Sequence, residues 1–409
     1  MEVPAIALSS DRATGMAAWG SKRISRITAK RQAVPPAPAQ TTTALRRIDM
    51  NTIDRTRLLV EPASATPPLL SAILVARDGW HDLDKLLEHL RNQTIQAEIE
   101  LLIVGDTLEK LAVSESRIRG FHSVRSLELA PLISVSSAHF SGVMFARAPL
   151  VVFCEDHCFP EPGWAAALVE AHEGPWAAVA PLMLNNNPAR AVSRALMNVE
   201  YGIFRDPSQA GVRDFLPGHN SCYKKRALLD FSHRFTSLHD TEYLLHLEMR
   251  QAGWQLFQSA EARTAHTNIS LFWPALICCF HAGRCFAAHR AADWTVGKKL
   301  VYALGSALLP FVRQQRYRRY LQRSVDGQQA PRIMPLTFLL FSANALGQII
   351  GNLAGRGSSY ASLCDLEFQR SRYVPPEEAG LFEVSDANER HHPHVQPPAR
   401  FGSLPRCPG

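Results

Sequence analysis

Apolar residues gather in short unbroken runs through the middle of the chain. Leu70–Ala76, with only Ser71 polar, lies between Pro67-Pro68 and Arg77-Asp78-Gly79 and reads as a buried strand. Leu83, Leu86, Leu87 and Leu90 then recur at helical spacing within Leu83–Gln93, with Asp82 placed to cap the helix. Ile99–Val104 is a second buried run, ending at Gly105-Asp106. Strand, helix and strand in this order predict a βαβ unit with parallel strands and a right-handed crossover. The alternation goes on with a helix over Val135–Ala148, a strand over Leu150–Cys154, a turn over Pro160–Trp164 and a helix over Trp164–His172. Ala177–Leu182 and Trp254–Gln258 read as further strands. The expected fold class is α/β, a doubly wound, mostly parallel sheet covered on both faces. Ligands of such sheets bind beyond the carboxyl ends of the strands. Those ends are Ala76-Arg77-Asp78, Gly105-Asp106 and Glu155-Asp156-His157.

Past Ser270 the runs lengthen. Ile269–Cys279 is apolar, Leu300–Val312 suits an interfacial or re-entrant helix, and Pro335–Ala354 is long enough for a marginal spanning helix. Asn344, Gln348 and Asn352 form a polar stripe on that helix that suits a partner helix. Two buried helices of a soluble domain remain the alternative. Arg313, Arg316, Arg318, Arg319 and Arg323 lie between the two stretches, where they would stay cytosolic and meet anionic headgroups.

Charge sharpens this division. Lys and Arg number 44 against 37 Asp and Glu, a net charge of +7. Most of the excess sits in the first sixty residues, which are Pro- and Thr-rich, lack an apolar period and read as a disordered basic tail. Almost no aromatic residues interleave the cations, so nucleic acid is not an expected partner. The opening residues show no secretory signal, and the eight cysteines are irregularly spaced with no CxxC pair. A reducing cytosol follows as the expected compartment. The mean hydropathy of −0.10 excludes a polytopic membrane protein but not one or two apolar segments. The expected organisation is a tail over 1–66, a catalytic domain over 67–270, a helical membrane-associated region over 271–372 and a disordered tail over 373–409. His391, His392 and His394 in that last tail read as a solvated cluster.

Four groups carry candidate chemistry. Glu155, Asp156 and His157 leave a buried strand together, and oxygen plus imidazole donors suit Mn²⁺ or Mg²⁺; a polar loop facing water is the bland reading. Asp240 and Glu242 open a helix whose Leu245, Met249 and Gly253 keep its period. They serve either the helix dipole or as a general base. In Phe215–Arg226, Gly218 permits close backbone approach and His219 and Asn220 offer hydrogen bonds, while Lys224, Lys225 and Arg226 suit phosphate or a solvated face. His266 is a lone histidine after a strand-like run, the usual setting of a structural histidine.

The order of these motifs resembles a family-2-type inverting glycosyltransferase with the nucleotide-sugar-binding A fold. The resemblance covers about half the chain, from Leu69 to Ser270. It rests on Gln93-Thr94 at the end of the first helix, on Glu100–Asp106, on Phe153–His157 with Pro160, Pro162 and Trp164 downstream, and on Glu242 standing eleven positions before Gly253. Glu155 and His157 occupy the positions where the family has Asp-x-Asp. The resemblance implies transfer from a nucleotide-diphospho-sugar to a hydroxyl by single displacement with inversion. It implies Glu242 as base with Asp240 beside it, and Glu155, Asp156 and His157 as the metal–diphosphate site. It places Ala76, Asp106, Gly218, His219 and Asn220 on the nucleotide-sugar, and His266 near diphosphate or acceptor.

The expected function is sugar transfer in cell-surface polysaccharide or glycolipid synthesis. The partners would be the donor, a lipid-linked or saccharide acceptor and the cytoplasmic face of the cell membrane. Two alternatives stand. A nucleotidyltransferase needs a Gly-rich basic loop after the first strand, which Ala76–Gly79 matches poorly. A catalytically silent sugar-nucleotide-binding scaffold of a polysaccharide assembly system accommodates the altered metal motif.

Overall fold

A computed structural model describes residues 55–62, 65–77, 79–132, 134–218, 220–323 and 330–384. The basic stretch before Arg55, His219 and the His391–His394 cluster lie outside the described residues. Among the described residues ten strands form one sheet. They are β1 (Arg55–Val60), β2 (Leu70–Ala76), β3 (Ile99–Gly105), β4 (Ser123–Glu128), β5 (Leu150–Cys154), β6 (Cys158–Pro160), β7 (Trp176–Asn185), β8 (Gly211–Arg213), β9 (Cys222–Lys224) and β10 (Gln255–His266). The spatial order is β1-β4-β3-β2-β5-β9-β7-β10-β6, with β8 on β10. The helices of this half are α1 (Asp84–Arg91), α2 (Glu115–Ile118), α3 (Val135–Phe145), α4 (Trp164–Ala171), α5 (Ala191–Tyr201), α6 (Lys225–Leu229), α7 (Phe235–His239) and α8 (Glu242–Gln251).

The centre β4-β3-β2-β5 is parallel throughout, and β7 runs parallel to β10. The central sheet is largely parallel, as the pattern predicts; β9 enters antiparallel between β5 and β7, and β1, β6 and β8 pair antiparallel at the margins. The added strands β6, β8 and β9 are three residues each, too short for any period to register. Apolar side chains pack on both faces. Ile73, Leu102, Phe153, Leu245 and Met249 share one core, and Leu74, Leu101, Leu87, Leu90 and Trp164 the other. Each such fully buried leucine contributes about 2 kcal/mol by its removal from water. A 3-10 turn over Trp80–Leu83 precedes α1, so Asp82 sits inside that turn and not at a cap.

Order starts earlier than the pattern indicated. Arg55–Val60, inside the stretch expected to be a basic tail, is an edge strand whose Arg55 holds Glu128 through two bonds of 2.8 and 2.9 Å. Charge on such a strand is how sheet edges are kept from pairing further, which is why it resembled a tail.

Among the described residues five α-helices follow β10: α9 (Phe272–Arg290), α10 (Val296–Ser306), α11 (Leu309–Arg323), α12 (Ala330–Ala354) and α13 (Ser359–Phe368). The expected helix over Leu300–Val312 is divided between α10 and α11, with Pro310, which has no N–H to donate, in the first turn of α11. α9 and α12 touch backbone to backbone: a Cβ on Gly283 would stand 2.1 Å from Asn344 O, and one on Gly347 2.0 Å from Phe280 O. The polar stripe of α12 does face a partner helix, Asn344 Nδ2 donating to Cys279 O at 3.1 Å. Arg313 turns inward instead of to headgroups, donating to Asn344 Oδ1 at 2.8 Å.

The chain then returns to the sheet. Cys364 and Phe368 of α13 join the core beneath β3 and β5. Residues 374–384, expected to open a disordered tail, carry a 3-10 turn over Pro376–Phe382. Buried Glu378 in that turn accepts hydrogen bonds from Asn187 at 2.9 Å and Ser270 at 2.5 Å. Pro375-Pro376 and the acids give this turn a tail-like composition, but its acid is fixed by two buried donors.

Candidate active site

The parallel register brings the ends of β2, β3 and β4 level, Ala76 beside Gly105 and Gly105 beside Glu128. Glu155 follows the end of β5 at the same edge of the sheet. Backbone pairing holds β10 against both β7 and β6, so His266 at its end arrives beside Cys158. The strand runs to His266 and not to Gln258 as the pattern indicated, because only its first residues carry an apolar run.

Glu155, His157 and His266 form a buried group whose ligand atoms all lie within 4.8 Å of one another, and which could hold a metal ion. His157 Nε2 is 3.6 Å from Glu155 Oε2, and His266 Nε2 is 4.0 Å from the same oxygen. The far nitrogens are engaged elsewhere: His157 Nδ1 meets Asp156 Oδ1 at 2.6 Å, and His266 Nδ1 meets Asn268 Oδ1 at 2.9 Å. His157 Nε2 is buried and has no hydrogen-bond partner among the described residues. Imidazoles oriented through one nitrogen, with the other aimed at a carboxylate, match the donor set of a metal site. Asp156, expected as a ligand, meets His157 Nδ1 and is not in this group, which His266 joins. Burial raises the Asp156 carboxyl above its usual range, and burial among like charges lowers the His266 ring well below its own.

Asn220 is held by its amide on Phe153 O at 2.8 Å and reaches Glu155 Oε2 with Nδ2 at 3.1 Å. Its φ of +59° turns the loop back toward β5. In the same loop Gly218 lies against Glu242: a Cβ there would stand 2.1 Å from Glu242 Cγ. One loop thus touches both the acid–imidazole group and the first residue of α8. Asp240, by contrast, is paired with Arg356 Nη1 at 2.9 Å. Asp106 receives Lys110 Nζ at 3.3 Å and the Leu132 amide at 3.4 Å. Ala76 is buried.

Lys224, Lys225 and Arg226 do not reach this site. β9 runs antiparallel to β5, which carries them to its amino end, and Lys224 and Lys225 bond Gly174 O at 2.8 Å and Ala146 O at 2.6 Å. Arg226 lies over the Trp254 ring.

The C-terminal return adds residues that sequence reading missed. Glu367 Oε2 comes within 3.5 Å of His157 Nε2 and is paired with buried Arg370 at 2.8 Å. Arg77, at the end of β2, pairs with Asp365 and lies over the Phe368 ring. Burial pushes nearby Glu200 up to about 7. The only trace in the sequence is an acid and an arginine three positions apart, and nothing in it points across two hundred positions.

No family model matches the chain, and no curated protein does. Among solved structures it is similar to the crystal structure of S. aureus TarS 1-349 in complex with UDP, at 14% identity and a TM-score of 0.37, over 67% of this chain and 90% of that one.

Proposed function

We propose that the chain transfers a sugar from a nucleotide-diphospho-sugar to an acceptor hydroxyl, with inversion. The observation that carries this reading is the junction at the strand ends. A loop with Gly218 on Glu242 and Asn220 on Glu155 joins a candidate base to a candidate cation site. Glu242 removes the acceptor's proton as its oxygen attacks the anomeric carbon, and the nucleoside diphosphate leaves from the opposite face. Glu155, His157 and His266 hold a divalent cation, with Asp156 and Asn268 fixing the two rings. Two imidazoles and a carboxylate favour Mn²⁺ over Mg²⁺. When bound, the cation supplies positive charge for the leaving diphosphate. Asp106 and the buried end of β2 at Ala76 face the nucleoside, and Asp240 acts through Arg356 to position the turn that carries Glu242.

We place the chain on the cytoplasmic face of the cell membrane. Val296, Leu300, Val301, Leu304, Leu308 and Phe311 expose large apolar side chains along α10 and the start of α11, the composition of an interfacial surface. α12 is long and apolar enough to cross a membrane by length and composition.

The test is transfer from a panel of nucleotide-sugars by the whole chain and by Glu242→Gln. Loss of a positioned base costs about 10²- to 10⁴-fold, with nucleotide binding retained. Full transfer by the variant rejects the base assignment. Binding of nucleotide-sugars without transfer by either protein favours the scaffold reading.

A further inference from the structure

A cavity of about 350 Å³ lies where α9, α10 and α12 meet the loop after α12. His289, Lys299, Asn352, Leu353 and Arg356 are among its lining residues, and no acid is among them. Asn352 is 2% exposed, and neither atom of its amide has a hydrogen-bond partner among the described residues. A buried amide so left is costly unless something else satisfies it. Arg356 bonds Asp240 with one nitrogen at 2.9 Å, and His289 Nδ1 meets Thr241 Oγ1 at 2.9 Å. One wall of the cavity is therefore fastened to the two residues that precede Glu242. The other side opens onto apolar surface, with Leu353 half exposed and Leu300 half exposed beside Lys299.

Cations, an unsatisfied amide and an apolar rim together fit one chemistry, an anionic oxygen group carried on a hydrocarbon chain. We propose that this cavity binds the phosphate of a lipid, with Lys299, Arg356 and the Asn352 amide on its oxygens and the hydrocarbon lying along Leu353 and Leu300. On the transfer reading above, a lipid held here by its phosphate carries the acceptor hydroxyl toward Glu242. The binding itself does not depend on that reading.

The experiment uses the full chain without donor and a fluorescent dihexanoyl phosphatidic acid below its micellar concentration, followed by anisotropy. Saturable binding is expected, with at least tenfold weaker binding of the matching phosphatidylcholine, whose phosphate has no free monoester charge. Lys299→Gln and Asn352→Leu should each weaken binding at least fivefold without lowering the melting temperature. Lys298→Gln removes the same charge one position away, where the ammonium lies over the Trp294 ring, and should leave binding within twofold. Equal loss in Lys298→Gln and Lys299→Gln overturns the proposal in favour of diffuse surface attraction. Competition by inorganic phosphate as strong as that by the lipid overturns its lipid part. Because no sugar is present, a chain inactive in transfer still passes or fails this test on its own terms.

Discussion

Strand β3 and helix α12 are both nearly free of charge, yet they dispose of their apolar side chains in opposite ways. In β3 every residue is buried, because helices cover both faces of the sheet. In α12 the buried side includes Gly347, Gly351, Gln348 and Asn352, while Leu339, Leu346 and Leu353 are about half exposed. The sheet is held by apolar area removed from water. α12 also buries Ile333, Leu340 and Phe341, but it adds close backbone contact and polar side chains to that core and leaves Leu339, Leu346 and Leu353 outward. That is the arrangement expected of helices packed where the surroundings are themselves apolar. Similar apolar runs in the sequence thus hide two different ways of packing.

The sharpest way to break this contrast is at the helix contact. Gly283→Val places side-chain atoms against the Asn344 carbonyl and should cost about 3 kcal/mol, read as a fall in melting temperature. An unchanged melting temperature means that α9 and α12 are not packed through their glycines. At the sheet end, Asp156→Asn leaves the fold standing but removes the carboxylate that orients His157. Mn²⁺ affinity by calorimetry should fall about 10- to 100-fold. Affinity equal to that of the unaltered chain puts the cation elsewhere.

A third test uses acid. Burial holds His246, stacked on Tyr223, and His172, bonded to Cys222 O at 3.0 Å, at about 4. Unfolded, each titrates near the ordinary value of 6.5, so the unfolded chain takes up protons first as the pH falls. Stability is therefore fully present above 6.5 and declines toward 4. Between pH 7 and 5 each histidine accounts for about 2 kcal/mol, measurable by chemical denaturation. A flat profile means these rings are solvated. The mildest change is on the outward leucines: Leu304→Ser with Leu308→Ser should shift stability by less than about 0.5 kcal/mol. Flotation with anionic vesicles should nonetheless fall several-fold. Unchanged flotation removes α10 as the contact.

The sequence made the centre of the sheet legible because its strands are unbroken apolar runs, which only double coverage produces. It concealed β4, where Arg125 interrupts the run. That arginine is no surface group; it meets buried Glu100 at 2.5 Å. Glu155 and His157 were visible because ionisable residues leaving an apolar strand have no packing role. The part played by His266 was not, since a buried lone histidine looks the same whether it faces a carboxylate or a carbonyl. Asp240 looked like a partner to Glu242, but its carboxylate is taken by Arg356, more than a hundred positions onward. Spacing rules see neighbours along the chain, and Glu367, Arg370 and Arg356 are neighbours only in space.

The return of the chain to its own sheet has a consequence for the order of events during synthesis. The amides of Ser270 and Leu271 both bond Tyr373 O, so the helical excursion leaves and rejoins the sheet at one place. A ribosome delivers α9 to α12 before it delivers Asp365, Glu367 and Glu378. The outward leucines have thus met their surroundings while the strand ends still lack their last side chains. The sheet half begins to fold first and is completed last.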